Sequence, residues 1–204
     1  MSQSEWKRRG ILCLVSGPSG SGKTTLCRRF SETDTDAVYA ISATTRAPRG
    51  GEQDGIDYFF LSREKFEDRV RNGEFIEYAE VHGNLYGTLK SEVIARLEEG
   101  KDVLMDIDVQ GAAHVRAQAD PAIRDSLVDI FILPPNDEEL LKRLSHRGTE
   151  SQDQLDLRLR NAREEMKYWQ DYQYSVISSD KESDFSTFRS IIDGERCRST
   201  RMFK

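Results

Sequence analysis

The chain reads as an α/β fold, a mostly parallel sheet with helices on both faces, and three observations predict it. Apolar, strand-like runs alternate with helix-like amphipathic segments along most of the chain. The apolar run 11–15 passes through a glycine-rich loop directly into the helix-like residues 25–30. The run Val103-Leu104-Met105 ends in acid, Asp106 and Asp108, as a buried strand does when it delivers carboxylates to the carboxyl edge of a sheet. A chain of 204 residues fits one domain with room for a small inserted lobe.

Taken in order, residues 11–15 are a buried strand and the helix from 25 follows the loop. Residues 38–41 are a second strand, followed by a polar loop over 42–55 that contains Pro48 and three glycines. A strand over 56–61 leads to a helix over 62–72, capped by Ser62 and stopped at Gly73. Phe75–Val81 is a strand that turns at Gly83-Asn84 and returns through 86–88. These elements set off an inserted lobe over about 42–89, with the core in about 10–41, 90–135 and 172–204. A helix over 91–99 ends at Gly100, Asp102–Asp106 is a strand, 111–118 a helix, and Leu127–Leu133 a strand before Pro134-Pro135. Asn136, with Glu139 three residues on, opens a helix to His146 that stops at Gly148. Ser151 opens a long helix to about Tyr172, striped by Leu155, Leu159, Ala162, Met166 and Trp169. Residues 136–171 thus form a helical segment between core strands. Tyr174–Ile177 is a last strand, and a closing helix over 184–202 is weakened by Gly194. In such a sheet ligands bind at the carboxyl ends of the strands, where Gly17, Ser42, Asp106 and Pro134 lie.

The formal net charge is −6, which leaves no global positive field for nucleic acid; cations needed for an anionic ligand must be concentrated locally. Cys13, Cys27 and Cys197 have neither disulfide nor zinc spacing and read as incidental thiols in a reducing compartment. His82, His114 and His146 form no cluster and read as surface residues. The N-terminus is polar and the next apolar run is too short for a signal peptide or membrane span, so a soluble cytoplasmic protein with no membrane partner is expected.

The loop Gly17-Pro18-Ser19-Gly20-Ser21-Gly22-Lys23-Thr24 spells G-x-x-x-x-G-K-T between strand and helix, and with Thr25 it predicts a nucleoside triphosphate site. Its glycines let backbone N–H groups curl around a phosphate, and the helix dipole adds to the attraction. Lys23 is placed to reach the β- and γ-phosphates, and the Thr24 hydroxyl can ligate Mg²⁺. Asp106, at the end of its apolar strand, resembles a Walker B acid that holds Mg²⁺ or its waters. Alternation puts Asp108 on the same face.

A second site follows. Arg46 and Arg49, three apart and stiffened by Pro48, can present paired guanidinium forks to a phosphate. Alternation along Phe75–Val81 groups Glu77 with Phe75, Ala79 and Val81. A carboxylate in an apolar row needs a partner, unless the stripe is simply half exposed. Being acceptor-only, it suits guanine, which offers N1–H and an amine side by side, and not adenine. Arg143 and Arg147 share a helical face, and Arg158 follows across a stretch that could flex; mobile arginines can neutralise charge in phosphoryl transfer.

These blocks resemble the guanylate kinase family from about Leu12 to Asp180: GPSGSGKT, TTRAPRGGE, DYFF, FIEYAEVHGNLYGT, LMDIDVQG, FILPP and RLSHRGTE, in order and spacing. The resemblance implies a P-loop NTPase-type core, a GMP-binding lobe, a lid, and transfer from ATP to GMP with Mg²⁺. It implies that Ser42, Arg46, Arg49, Tyr58 and Tyr86 hold the GMP phosphate. Glu77, Thr88 and Asp108 would read guanine, and Arg143, Arg147 and Arg158 would close over the ATP phosphates. Two departures stand out: Ser178-Ser179-Asp180 replaces a common Asn-Asp-Asp, and Leu85 replaces a common aromatic beside Tyr86. A GTPase switch would fit Asp108-Val109-Gln110-Gly111 but lacks an N-K-x-D motif. A non-catalytic interaction module would have no need of the intact Lys23 and Thr24. A kinase for another monophosphate fits Glu77 less well. Oligomeric state and tolerance for dGMP are not legible.

Overall fold

The structure, a computed structural model, describes residues 6–81, 83–118, 120–145 and 152–204. In chain order its elements are β1 (Lys7–Arg8), β2 (Leu12–Ser16), α1 (Lys23–Thr33) and β3 (Ala37–Tyr39), then β4 (Ala43–Thr44), β5 (Phe59–Phe60), α2 (Arg63–Arg71), β6 (Phe75–Val81) and β7 (Asn84–Leu89). They continue with α3 (Lys90–Glu98), β8 (Asp102–Asp106), α4 (Val109–Arg116), the short α5 (Pro121–Arg124), β9 (Leu127–Leu133), α6 (Asp137–Ser145) and α7 (Gln152–Met166). The chain closes with β10 (Tyr174–Ile177), α8 (Lys181–Arg196) and β11 (Met202–Phe203).

The central sheet has the order β10-β9-β2-β8-β3, and every pair is parallel. All five residues of β2 are buried, as expected of a strand covered on both faces. Its alternate side chains divide the core. Cys13 and Val15 pack with Leu26 and Phe30 of α1 and with Phe188 and Ile192 of α8. Leu12 and Leu14 pack with Val93 and Leu97 of α3, Val115 of α4, Phe131 and Tyr172. Helices therefore lie on both faces, as the strand–helix alternation predicts.

A second sheet, order β5-β4-β7-β6, is built wholly from residues 43–89 and has its own apolar cluster of Ala43, Phe66, Phe75, Leu85 and Leu89. Leu85 is one of the buried residues of that cluster. Helix α2 starts where the sequence places it, with Ser62 accepting a hydrogen bond from the Lys65 backbone N–H. On α6, Asn136 accepts from the Glu139 N–H at 2.8 Å.

Several elements differ from expectation. The strand over 56–61 contracts to Phe59–Phe60, because Asp54 and Asp57 turn the preceding residues by accepting from the N–H groups of Phe60 and Gln53. The long helix ends at Met166 and continues only as a short 3₁₀ turn, Trp169–Asp171. Trp169, placed on the apolar stripe by periodicity, is 42% exposed; Leu155, Leu159, Ala162 and Met166 do pack with Leu140 and Leu144 of α6. The closing helix runs Lys181–Arg196, opened by the Asp180 carboxylate, and then breaks so that β11 can pair antiparallel with β1. That ribbon joins residues nearly the full chain apart, and local pattern carries no signal for it. His82, His146, Arg147, Gly148 and Ser151 lie outside the described residues.

Candidate active site

The glycine-rich loop leaves the carboxyl end of β2 and turns into α1. Gly17 has φ +144°, and a Cβ there would lie 2.4 Å from the Ile132 carbonyl oxygen on β9, so only glycine fits the loop against the sheet. The Lys23 Nζ donates to the carbonyl oxygens of Gly17 at 2.6 Å and Pro18 at 3.1 Å, which holds the ammonium over the loop. The Thr24 hydroxyl donates to Asp106 Oδ2, and the Tyr39 hydroxyl donates to Asp106 Oδ1. Thus both oxygens of the carboxylate at the end of β8 are engaged.

Residues of α6 and α7 reach the same loop. Arg158, on α7, donates to Ser19 Oγ at 3.1 Å and to the Leu144 carbonyl at 3.4 Å. Arg143, on α6, donates to Glu139 at 2.9 Å and to Ser178 Oγ at 2.9 Å, and the buried Ser178 donates onward to Asp184 at 2.6 Å. A cavity of about 500 Å³ opens beside the loop, lined by Gly20, Gly22, Thr25, Arg143, Ser178 and Asp184 among others. Arg147 falls outside the described residues. The half-buried Glu165 of α7 is also near. Burial pushes its carboxyl up, Lys23 pulls it down, and Asp108 pushes it up.

On the lobe, Arg46 forms a two-pronged ion pair with Glu52 at 2.9 and 3.0 Å and lies 5.3 Å from the Tyr58 ring centre. Tyr58 meets Tyr86 edge-on with ring centres 6.1 Å apart. Glu52 also accepts from the Arg49 backbone N–H at 2.7 Å, while the Arg49 side chain is exposed. Ser42 lies half-buried just before β4, its carbonyl accepting from Phe59. Glu52 stands inside the TTRAPRGGE block, where the sequence assigns it no role. Its signal was an acid closing a Gly50-Gly51 turn after two arginines.

Glu77 reaches its position by a route that alternation misses. A bulge between Phe75 and Glu77 shifts the β6–β7 register, so that Phe75 and Ile76 are both buried and Glu77 sits opposite Thr88. Ala79 and Val81 are exposed; the apolar row assigned to Glu77 does not exist beyond Phe75. Gly87 permits the close approach, since a Cβ there would lie 2.7 Å from the Glu77 carbonyl oxygen. The buried Thr88 hydroxyl donates to Glu77 Oε1 at 3.1 Å. Burial raises the Glu77 pKa to about 7; the Thr88 hydrogen bond opposes this and the nearby Asp108 adds to it. Asp108 does not continue the strand beside Asp106: β8 ends at Asp106, and Asp108 caps α4 by accepting from the Gly111 N–H at 2.7 Å.

Known proteins with this fold and sequence settle the family. The guanylate kinase family model matches residues 9–195. The chain belongs to the guanylate kinase family. It is 42% identical over 202 residues to the guanylate kinase of Clostridium perfringens strain SM101, covering 99% of this chain and 91% of that one. It is 44% identical over 192 residues to the guanylate kinase of Caldanaerobacter subterraneus, covering 94% and 91%. A crystal structure of guanylate kinase from Anaplasma phagocytophilum superposes with TM-score 0.74 at 32% identity, covering 97% of this chain and 92% of that one. As a guanylate kinase by family, the chain is an ATP:GMP phosphotransferase.

Proposed function

We propose that ATP is held at the 17–25 loop and GMP on the 42–89 lobe, with 136–171 closing as a lid over both, in the cytoplasm and with Mg²⁺. One observation carries the two-sided reading. The end of β8 serves both sides: Asp106 meets Thr24 of the loop, and Asp108, two residues on, acts electrostatically on Glu77 of the lobe. Among the described residues no helix is long and apolar enough to cross a membrane.

On the donor side, loop N–H groups and Lys23 hold the β- and γ-phosphates, while Arg143 and Arg158 bring positive charge from the lid helices. Arg147 shares that role by family resemblance. The 500 Å³ cavity is large enough for the donor base. On the acceptor side, Arg46 and Arg49 bind the GMP phosphate together with Ser42, Tyr58 and Tyr86. Arg46 would then exchange its Glu52 pairing, in part, for phosphate. Glu77, aligned by Thr88, accepts from guanine N1–H and the exocyclic amine, and Asp108 supplies a further acceptor.

The Mg²⁺ fit rests on donor chemistry. Thr24 and Asp106 offer hard oxygen donors in contact with each other. Among the described residues no group of three or more His, Cys, Asp or Glu side chains could hold a metal alone. That suits an ion which takes its remaining ligands from phosphate and water. Bound there, Mg²⁺ would neutralise charge on the transferring phosphoryl group.

The test is ATP/Mg²⁺-dependent turnover across GMP, dGMP, AMP, CMP, UMP and dTMP. Formation of ADP and GDP with GMP, with or without dGMP, is expected; equal turnover of AMP would remove Glu77 as the base reader.

A further inference from the structure

We propose that Tyr39 is a positioning residue for Asp106, holding that carboxylate so that its second oxygen faces Thr24 and the divalent cation. This rests on the reading of Asp106 as the metal-side acid. Tyr39 ends the edge strand β3, and its register partner on β8 is Leu104. That register leaves Asp106 two residues further toward the carboxyl edge, where the Tyr39 phenol reaches it. The phenol donates to Asp106 Oδ1, which leaves Oδ2 for the Thr24 hydroxyl.

The tyrosine is itself held. The Arg28 guanidinium lies 5.6 Å from the Tyr39 ring centre. Arg28 is four residues after Thr24, so one face of α1 carries both the group that meets Asp106 and the group that covers Tyr39. The Ala40 N–H donates to the Leu104 carbonyl at 2.9 Å and pins the end of β3 to β8. Three elements thus fix one carboxylate. A carboxylate with one oxygen committed to a donor keeps its orientation while the other oxygen serves a cation or its waters, and removing such an outer partner costs metal affinity.

The experiment measures Mn²⁺ binding to the enzyme–ADP complex by the loss of the free Mn²⁺ resonance signal, in wild type, Tyr39→Phe, Asp106→Asn and the double variant. Phenylalanine keeps the ring under Arg28 and removes only the donor. Tyr39→Phe should weaken Mn²⁺ binding about tenfold while KM for GMP stays unchanged, and should add nothing in the Asp106→Asn background. Wild-type Mn²⁺ affinity in Tyr39→Phe, with a loss in Asp106→Asn, overturns the proposal and leaves the metal reading standing. A tenfold loss that persists undiminished in the Asp106→Asn background also overturns it, because Tyr39 then acts through something else. If Asp106→Asn binds Mn²⁺ normally, the metal reading of Asp106 fails and this inference with it. The cycle compares differences, so it decides even if one variant is less stable.

Discussion

Glu77 is the residue where geometry has the largest chemical consequence. A bulge turns its carboxylate toward Thr88, and burial lifts its pKa to about 7. A guanine reader must be ionised to accept two hydrogen bonds, so below that pKa binding guanine requires a proton to leave first. If Glu77 reads guanine, affinity for GMP should fall as pH falls through that pKa. Between pH 8 and pH 6 the dissociation constant should rise by about tenfold from Glu77 alone. GMP titrations across that range check this, with Glu77→Gln as the reference that cancels titration of the GMP phosphate. Equal slopes in both proteins would remove Glu77 from the reader role. The same variant should bind GMP more weakly at pH 8, because the amide sets a donor beside a guanine donor.

At the scale of elements, the caps and turns behave as local chemistry dictates. Ser62, Asp108, Asp120 and Asp180 each accept a backbone N–H at the start of a helix. Gly194 runs the other way. It sits inside α8, and a Cβ there would meet nothing within 4 Å. Gly194→Ala should therefore stabilise the protein by about 0.5–1 kcal/mol, through the lower entropy of the unfolded chain and better helix propensity. Denaturant unfolding with an unchanged slope and a higher midpoint is the expected record; a lower midpoint would mean that the added methyl meets something.

For the whole molecule, the two edges of the central sheet divide labour. The carboxyl edge carries Thr24, Asp106 and the loop. At the amino edge the buried Asp102 accepts from Arg8 at 2.5 Å, from the Ile11 N–H at 2.9 Å and from Arg196 at 2.7 Å. Arg196 also grips Asp34 with two hydrogen bonds, at 2.9 and 3.0 Å. The terminal ribbon, α8 and β8 are thereby tied at one point, at the end of β8 opposite Asp106. Arg196→Met should cost about 3 kcal/mol, because it strips a partner from the buried Asp102 and from the partly buried Asp34, while KM for ATP and GMP stays as in wild type. A stable variant with altered KM values would mean that the amino edge communicates with the site.

The sequence by itself determined the α/β class, the strand–loop–helix phosphate motif, the carboxylate ending β8 and the capped starts of α2 at Ser62 and of α6 at Asn136. Each of these is written in neighbouring residues: periodicity sets which face is buried, and a capping side chain acts within three positions. Tertiary structure alone decided the rest. The β6 bulge depends on what β7 presents opposite it, so Glu77 was found for a reason that the fold does not bear out: its partner is Thr88, not an apolar row. Glu52 against Arg46, Ser178 and Asp184 behind Arg143, and Tyr39 on Asp106 pair groups that only folding brings together. So does the closing ribbon, where β1 meets β11 from the other end of the chain. Hydrogen bonds and ion pairs act over about 3 Å, and no spacing rule along a chain can state which distant residues will come within that reach.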